Sequence, residues 1–307
     1  MADVIVLGAG IIGLTSALEL QVRGAEVTIV TADDPADTVS AVAAAVWYPT
    51  RIDADPRVLA WGTRTFEIFK GQTIDRTPGV TMRPTRMKIR HDEDTPWWAA
   101  AVPDFAAHPG EWHFTAPAVE MVPYLAHLRA RFEAGGGTLD RRRVARFDDL
   151  DGAALVVNAT GLGAARLTGD QRLYPIRGQA VVVANPGLTT SIRDEHHPLG
   201  PVYIHPRSRD VVLGGTFEVG DPDLTIRPET ARAIIERTTE VEPRLAGARV
   251  EKHLVGLRPA RHGGPRVERE GRIIHAYGHS GAGMTLCWGT AEEVARFVEG
   301  QGLSRSG

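Results

Sequence analysis

Three glycines near the start of the chain constrain it more than any other feature. Residues 3–33 read DVIVLGAGIIGLTSALELQVRGAEVTIVTAD, with Gly8, Gly10 and Gly13 spaced as G-x-G-x-x-G. Residues 4–7 before them are four consecutive β-formers, the pattern of a parallel strand buried on both faces. Behind the glycines, Ile12, Thr15 and Leu18 recur at helical spacing, and Gly24 supplies a C-terminal stop. Residues 27–30 give a second strand. Each glycine has a mechanical task in such a unit. Gly8 permits the tight turn, Gly10 lets a pyrophosphate approach the backbone, and Gly13 lets helix and strand pack closely. The phosphates then sit at a helix N-terminus, where unpaired N–H groups and the helix dipole favour negative charge. A strand–glycine–helix–strand unit of this kind predicts dinucleotide binding. The acidic residue that would grip the ribose is displaced: Thr31 ends the second strand and Asp33 follows two residues later. The motif alone does not choose between NAD and FAD.

A chain of 307 residues suits a nucleotide domain plus a second domain inserted into it. With 35 basic and 38 acidic residues, net charge −3, nothing points to a nucleic-acid or anionic-membrane partner. The run Arg141-Arg142-Arg143 is short and reads as a solvated face. The single cysteine, Cys287, cannot form an internal disulfide, and no His/Cys cluster has zinc spacing, so no metal is expected. The first strand begins too early for a signal segment before it, and no apolar run reaches the length of a membrane span. A cytoplasmic enzyme is the expectation, and a homodimer is compatible with it.

The rest of the chain alternates between nucleotide-domain elements and excursions. The small-residue stretch 38–49 fits two structures equally on composition: backbone lying flat against a bulky group, or an Ala-rich helix. Residues 57–70 predict an amphipathic helix anchored by Val58, Trp61, Phe66 and Phe69. Trp97, Trp98 and Trp112 read as core rather than as a binding cage. Residues 117–132 predict a helix with Val122, Leu125, Leu128 and Phe132 inward, stopped by Gly135-Gly136-Gly137. Residues 144–147 suggest a short strand. AALVVNATG at 153–161 reads as a third nucleotide-domain strand whose ligand end is Thr160-Gly161. Further strands are expected at 177–183, 203–206, 211–217, 254–259 and 273–278, and a helix at 228–240. Residues 279–283 form another glycine-rich turn opening a helix, a second array of backbone donors.

Taken together, VIVLGAGIIGL (4–14), AAAVWYP (43–49), VVNATGLGA (156–164), YPIRGQ (174–179), VYIHP with LGGTF (202–217), VGLRPAR (255–261) and YGHSGAGMT (277–285) resemble the D-amino-acid oxidases, nearly end to end. These are FAD enzymes of the glutathione-reductase-like flavoprotein superfamily. The resemblance implies an α/β fold, with a Rossmann-type FAD-binding domain and an interleaved α+β substrate domain on a mixed, largely antiparallel sheet. It assigns residues 1–75, 133–172 and 253–307 to the former and 76–132 and 173–252 to the latter. It implies non-covalent FAD contacts at Gly8, Gly10, Ile12, Gly13, Asp33 and Thr38, and along Ala43, Ala44, Ala45 and Val46. Further contacts are implied at Val144, Thr160 and Gly161, and at Ser280, Gly281, Ala282, Gly283 and Thr285. Arg258 would bind the substrate carboxylate, Tyr203 would add its hydroxyl, and the Gly281 carbonyl would receive the amine. From the residues alone, a structural ion pair is the commoner reading of Arg258, and packing with a satisfied hydroxyl that of Tyr203.

The implied reaction converts a D-amino acid and O2 to a 2-oxo acid, ammonia and hydrogen peroxide, by hydride transfer from the α-carbon to flavin N5. No acid/base dyad is required. His279 and His205 are candidate bases by residue type only, and His279 is expected to serve the loop's architecture. Departures from the family pattern are Leu199 at the position of a lid tyrosine, Ala45 for a usual glycine, and Ala282 for a bulkier residue. Phe217 lies where D-aspartate-selective relatives carry Arg, which implies a chamber for neutral D-amino acids, with basic substrates left open. Two other readings stay in view. One is a glycine- or sarcosine-type amine oxidase, for which Cys287 inside the last helix is the sole candidate for covalent flavin attachment; the other is a nicotinamide-dependent dehydrogenase.

Overall fold

A computed structural model describes residues 3–49, 52, 56–91, 93–150 and 152–300, so the ends of the expected domain ranges at 1–2 and 301–307 lie outside it. In chain order it begins with β1 (Asp3–Leu7), α1 (Ile11–Val22), β2 (Glu26–Thr31) and α2 (Pro56–Ile74). There follow β3 (Val80–Lys88), β4 (Ala106–His108), β5 (Glu111–Val119), α3 (Met121–Ala134) and β6 (Thr138–Arg141). The middle comprises β7 (Leu155–Asn158), α4 (Ala164–Thr168), β8 (Leu173–Ala184), β9 (Ser191–Asp194), β10 (Val202–Pro206), β11 (Asp210–Gly214) and β12 (Glu218–Val219). The chain closes with α5 (Pro228–Val241), β13 (Val250–Arg261), β14 (Arg266–Glu270), β15 (Ile273–Tyr277) and α6 (Gly283–Glu299).

The first sheet has the order β14-β15-β7-β1-β2-β6 and is parallel except for the edge strand β14. Both of its faces are covered, which is why residues 4–7 are apolar without alternation. Val4 and Val6 join the core beneath α1, α3 and α6, whereas Leu7 packs on the other face with Val30, Leu150 and Val156. Gly13 makes the first crossover possible: a Cβ there would stand 2.9 Å from the Gly8 carbonyl carbon.

The second sheet has the order β12-β8-β11-β10-β9-β3-β5-β4, with β13 also paired to β8. It is antiparallel except where β3 meets β9. One face buries Val181, Val183, Ile204 and Leu213 beneath Ile234 of α5. The opposite face carries Ala180, Val182, Val212, Tyr203 and Leu254. β13 pairs with β8 from end to end, so the expected domain boundary at 253 falls inside a strand of this sheet.

Two local expectations fail for identifiable reasons. Residues 117–119 belong to β5, and the helix starts at Met121; in that phase Met121, Tyr124, Leu125, Leu128 and Phe132 point inward while Val122 is 51% exposed. Residues 144–147 form no strand, because the Asp149 carboxylate accepts the N–H groups of Ala145 and Arg146 that a ladder would need. The anchors Val58, Trp61, Phe66 and Phe69 of α2 are buried, as are Trp98 and Trp112. No helix of the described residues is long and apolar enough to cross a membrane.

Helices α2 and α6 cross closely at Gly289, where a Cβ would lie 2.5 Å from the Trp61 carbonyl oxygen. Gly71, in the same α2, has open space at its Cβ position. Gly289→Ala is therefore expected to force the helices apart and cost about 1–3 kcal/mol, lowering the thermal midpoint by several degrees. Gly71→Ala should raise it slightly, by about 0.5–1 kcal/mol of helix propensity. Calorimetry on the two variants checks the contrast.

Candidate active site

A cavity of about 690 Å³ runs from the glycine turn of β1–α1 to the inner face of the second sheet. At its first end, Gly8 adopts φ +99°, and a Cβ there would lie 2.6 Å from the Ala159 carbonyl oxygen. Gly10 is the N-cap of α1 and offers no side chain to the helix's N–H groups. Ser40 Oγ accepts the N–H of Ile11 at 3.0 Å, the one side chain to reach back toward this terminus among the hydrogen bonds described. Gly8, Gly10 and Ile12 line the cavity, as do Asp33 and Thr38. The Thr31 hydroxyl donates to the Asp33 carbonyl at 2.8 Å, which turns the chain after β2 and leaves Asp33 at the cavity wall. Val144, Thr160 and Gly161 close this end. Arg142 and Arg143 are solvent-exposed, as the basic run suggested, yet both also reach its rim.

The small-residue stretch is no Ala-rich helix. A short 3-10 turn at Val39–Val42 gives way to extended backbone, and Ala43, Ala44, Ala45 and Val46 line the cavity. Ala45 has φ 51°, a left-handed conformation that favours glycine. The second donor array is the N-terminus of α6. Its N-cap, Ala282, supplies no capping side chain, and Ser280 before it holds φ 52°. Ser280, Gly281, Gly283 and Thr285 face the cavity. Two helix N-termini with free donors, a carboxylate at the end of β2 and a wall of small side chains fit a dinucleotide.

The other end is built by sheet register. Tyr203 of β10 pairs directly with Gly214 of β11, and a Cβ at Gly215 would stand 2.7 Å from its ring. Arg258 of β13 lies over Gly178 of β8, where a Cβ would stand 2.6 Å from the guanidinium carbon. The two side chains lie flat against the sheet because glycines leave the room. Arg258 Nη1 donates to the Thr216 carbonyl at 3.1 Å, and its guanidinium sits 5.1 Å above the Phe217 ring. Arg237, buried in α5, donates to the Pro201 and Gly215 carbonyls and so fixes the loops on either side of Tyr203. A β-bridge between Ala260 and His279 ties β13 to the glycine-rich turn, so Arg258 and Gly281 each lie two residues from a shared backbone contact.

Burial raises the Tyr203 hydroxyl above its ordinary value, so it stays a donor at neutral pH. His279 is buried, contacts Thr290 Oγ1 at 3.2 Å, and is pushed down to about 4 by desolvation. His205 stacks on Tyr203 with ring centroids 5.0 Å apart, and burial beside Arg193 lowers it well below the usual histidine range. Both imidazoles are neutral near pH 7, and neither is poised there as a base.

Of the residues singled out in the sequence, Gly13 and Ala282 stand outside the cavity wall: Gly13 packs helix on strand, and Ala282 is fully buried. Leu199 is 64% exposed and also off the wall. Cys287 is buried within α6, away from the cavity, so it offers no thiol for covalent attachment there. Missed altogether were Ser40, Tyr48, Gly178, Arg193 and Glu195, all of which line the cavity. Arg193 and Glu195 sit in the polar run SIRDEHH at 191–197, where nothing sets them apart from Asp194 or the two histidines.

Comparison with known proteins places the chain in a family. The family model described as FAD dependent oxidoreductase matches residues 3–147 and 124–297. A D-amino-acid oxidase of Rubrobacter xylanophilus is 44% identical, covering 96% of this chain and 95% of that protein. A D-amino-acid oxidase of Streptomyces coelicolor is 39% identical, covering 96% of each. Among solved structures, a glycine oxidase of Bacillus cereus superposes with a TM-score of 0.81 at 20% identity, covering 98% of this chain and 96% of that one.

The depressed histidines give a pH prediction. His279 titrates lower folded than unfolded, so between about pH 6.5 and 4 the unfolded chain binds more protons. The stability associated with neutral His279 is complete above that window and falls away as pH drops through it. His279→Gln, which keeps a partner for Thr290, is expected to flatten the loss of thermal midpoint between pH 7 and 4; an unchanged slope would remove His279 as its source.

Proposed function

The chain belongs to the FAD dependent oxidoreductase family, and from that premise we propose that it is a D-amino-acid oxidase acting on neutral substrates. The observation that carries the reading is the placement of Arg258 and Tyr203, each in a glycine cradle, in the same cavity as two helix N-termini whose N-cap residues supply no capping side chain. FAD, when bound, supplies the two-electron acceptor for the α-hydrogen and passes the electrons to O2, giving hydrogen peroxide. Gly8, Gly10, Ile12, Asp33, Thr38, the 43–46 stretch, Val144, Thr160, Gly161, Ser280, Gly281, Gly283 and Thr285 would hold it. We assign the first sheet with its helices to the FAD-binding domain and the second sheet to the substrate domain.

Arg258 receives the α-carboxylate in charge-assisted hydrogen bonds, and the protonated Tyr203 hydroxyl donates to the same group. The Gly281 carbonyl accepts from the substrate amine. Phe217 backs the guanidinium with an apolar face and adds no charge. With carboxylate and amine fixed at two points, Arg258, Tyr203 and Gly281 would present the α-hydrogen of only one enantiomer to the cofactor side of the cavity. The products are a 2-oxo acid and ammonia, formed when water hydrolyses the released imine. With His279 and His205 both neutral and buried, the residues contribute orientation and electrostatics instead of a poised base.

The test begins with purified protein. A yellow flavin spectrum bleached anaerobically by D-valine or D-alanine, and not by the L-enantiomers, is expected; bleaching by glycine or sarcosine alone would favour a glycine-type oxidase. Arg258→Ala should retain flavin and lose about a hundred- to ten-thousand-fold in kcat/KM, the loss of two charge-assisted bonds of about 1.5–3 kcal/mol each. Unchanged turnover would take Arg258 out of the site. Tyr203→Phe should cost about tenfold, mainly in KM, since one neutral donor is removed. Gly178→Ala should resemble Arg258→Ala in weaker form, because the added methyl displaces the guanidinium without deleting it.

A further inference from the structure

We propose that the ion pair of Arg193 and Glu195 decides which side chains the chamber accepts, Glu195 occupying the arginine that a second substrate carboxylate would otherwise use. The inference rests on the reading of the cavity as a D-amino-acid site. Arg193 pairs directly across β9 and β10 with Tyr203, so both side chains leave the same face of the sheet. The same row continues through Gly214 and Ala180 to Leu254. Arg258, four residues beyond Leu254 on β13, shares that face. Arg193 and Glu195 both line the cavity.

Arg193 is 6% exposed and held on three sides. Its guanidinium lies 4.0 Å over the Tyr48 ring, Nη1 is 3.4 Å from His205 Nε2, and Nη2 is 2.6 Å from Glu195 Oε1. An arginine can only donate, so His205 accepts at Nε2 and carries its proton on Nδ1. Arg193 Nε is buried without a hydrogen-bond partner among the described residues. A guanidinium so placed is an anion receptor with donor capacity to spare. Its nearest anion comes from the chain itself. The pair presents no net charge, and a substrate carboxylate approaching Arg193 would meet the Glu195 carboxylate at close range, in a site too dry to screen the repulsion. Uncharged side chains meet no such opposition. A basic side chain gains little, because Arg193 repels it where Glu195 attracts it.

The wild-type enzyme is therefore expected to oxidise D-valine at least about a hundredfold more efficiently than D-aspartate or D-glutamate, measured as kcat/KM by peroxide release. Glu195→Gln keeps the shape and removes the charge. It should raise the acidic-to-neutral ratio by about tenfold or more, and Glu195→Ala should move it the same way. Adding Arg193→Met to Glu195→Gln should abolish the gain, which a merely loosened chamber would keep. A second readout needs no turnover: butanoate and succinate binding, followed by perturbation of the flavin spectrum, should shift toward succinate in Glu195→Gln. Wild-type enzyme that takes D-aspartate as readily as D-valine, or variants whose ratios stay put, would overturn this assignment while leaving the oxidase reading intact. Failure of every D-amino acid to bleach the flavin would instead overturn the functional reading.

Discussion

A guanidinium laid flat on the inner face of an antiparallel sheet is the interaction around which this molecule is arranged. Arg258 keeps that position because Gly178 offers no side chain beneath it, the Thr216 carbonyl accepts from one nitrogen, and Phe217 lies under its plane. A charge in such a wall needs its donors satisfied or pointed at a ligand. The surrounding sheet meets that demand by register: Gly178 and Ala180 of β8, Tyr203 and His205 of β10 and residues 254–259 of β13 line the cavity, and glycines fall where a ring or a guanidinium must lie.

The two halves of the site are coupled by backbone. β13 belongs to the second sheet over its whole length, yet its Ala260 bridges to His279 at the head of the turn that opens α6. The helix-terminus end and the Arg258 end of the cavity therefore share a rigid reference, with Arg258 and Gly281 only a few residues from the bridge. Arg237 performs a similar service for the loops beside Tyr203, donating to two carbonyls from a buried position. Such rigidity is what orientation-based catalysis requires, since a chamber without a poised base depends on geometry alone.

Much of this was legible along the chain, and the failures share a cause. The turn glycines, the strand at 155–158, the inward anchors of α2 and the donor-rich start of α6 are local patterns, set by neighbours within a few residues. The helix at 121–134 was started four residues early because Pro117 and its neighbours pair with β3, a contact no periodicity records; Leu125, Leu128 and Phe132 face inward as expected and Val122 does not. The Asp149 carboxylate displaced a short strand at 144–147 by taking its N–H groups. Arg193 and Glu195 went unread because their meaning depends on Tyr203 standing directly across the sheet.

By itself the sequence determined the nucleotide-binding unit and the glycine-rich turns, because motif spacing and residue chemistry are properties of short segments. Tertiary structure decided which side chains meet. Strand register placed Arg193 beside Tyr203 and Gly178 beneath Arg258, and register is set by pairing between segments far apart in the chain. The Arg193–Glu195 pair is local, but the side of the sheet on which it meets the chamber follows from that register and is a property of the fold.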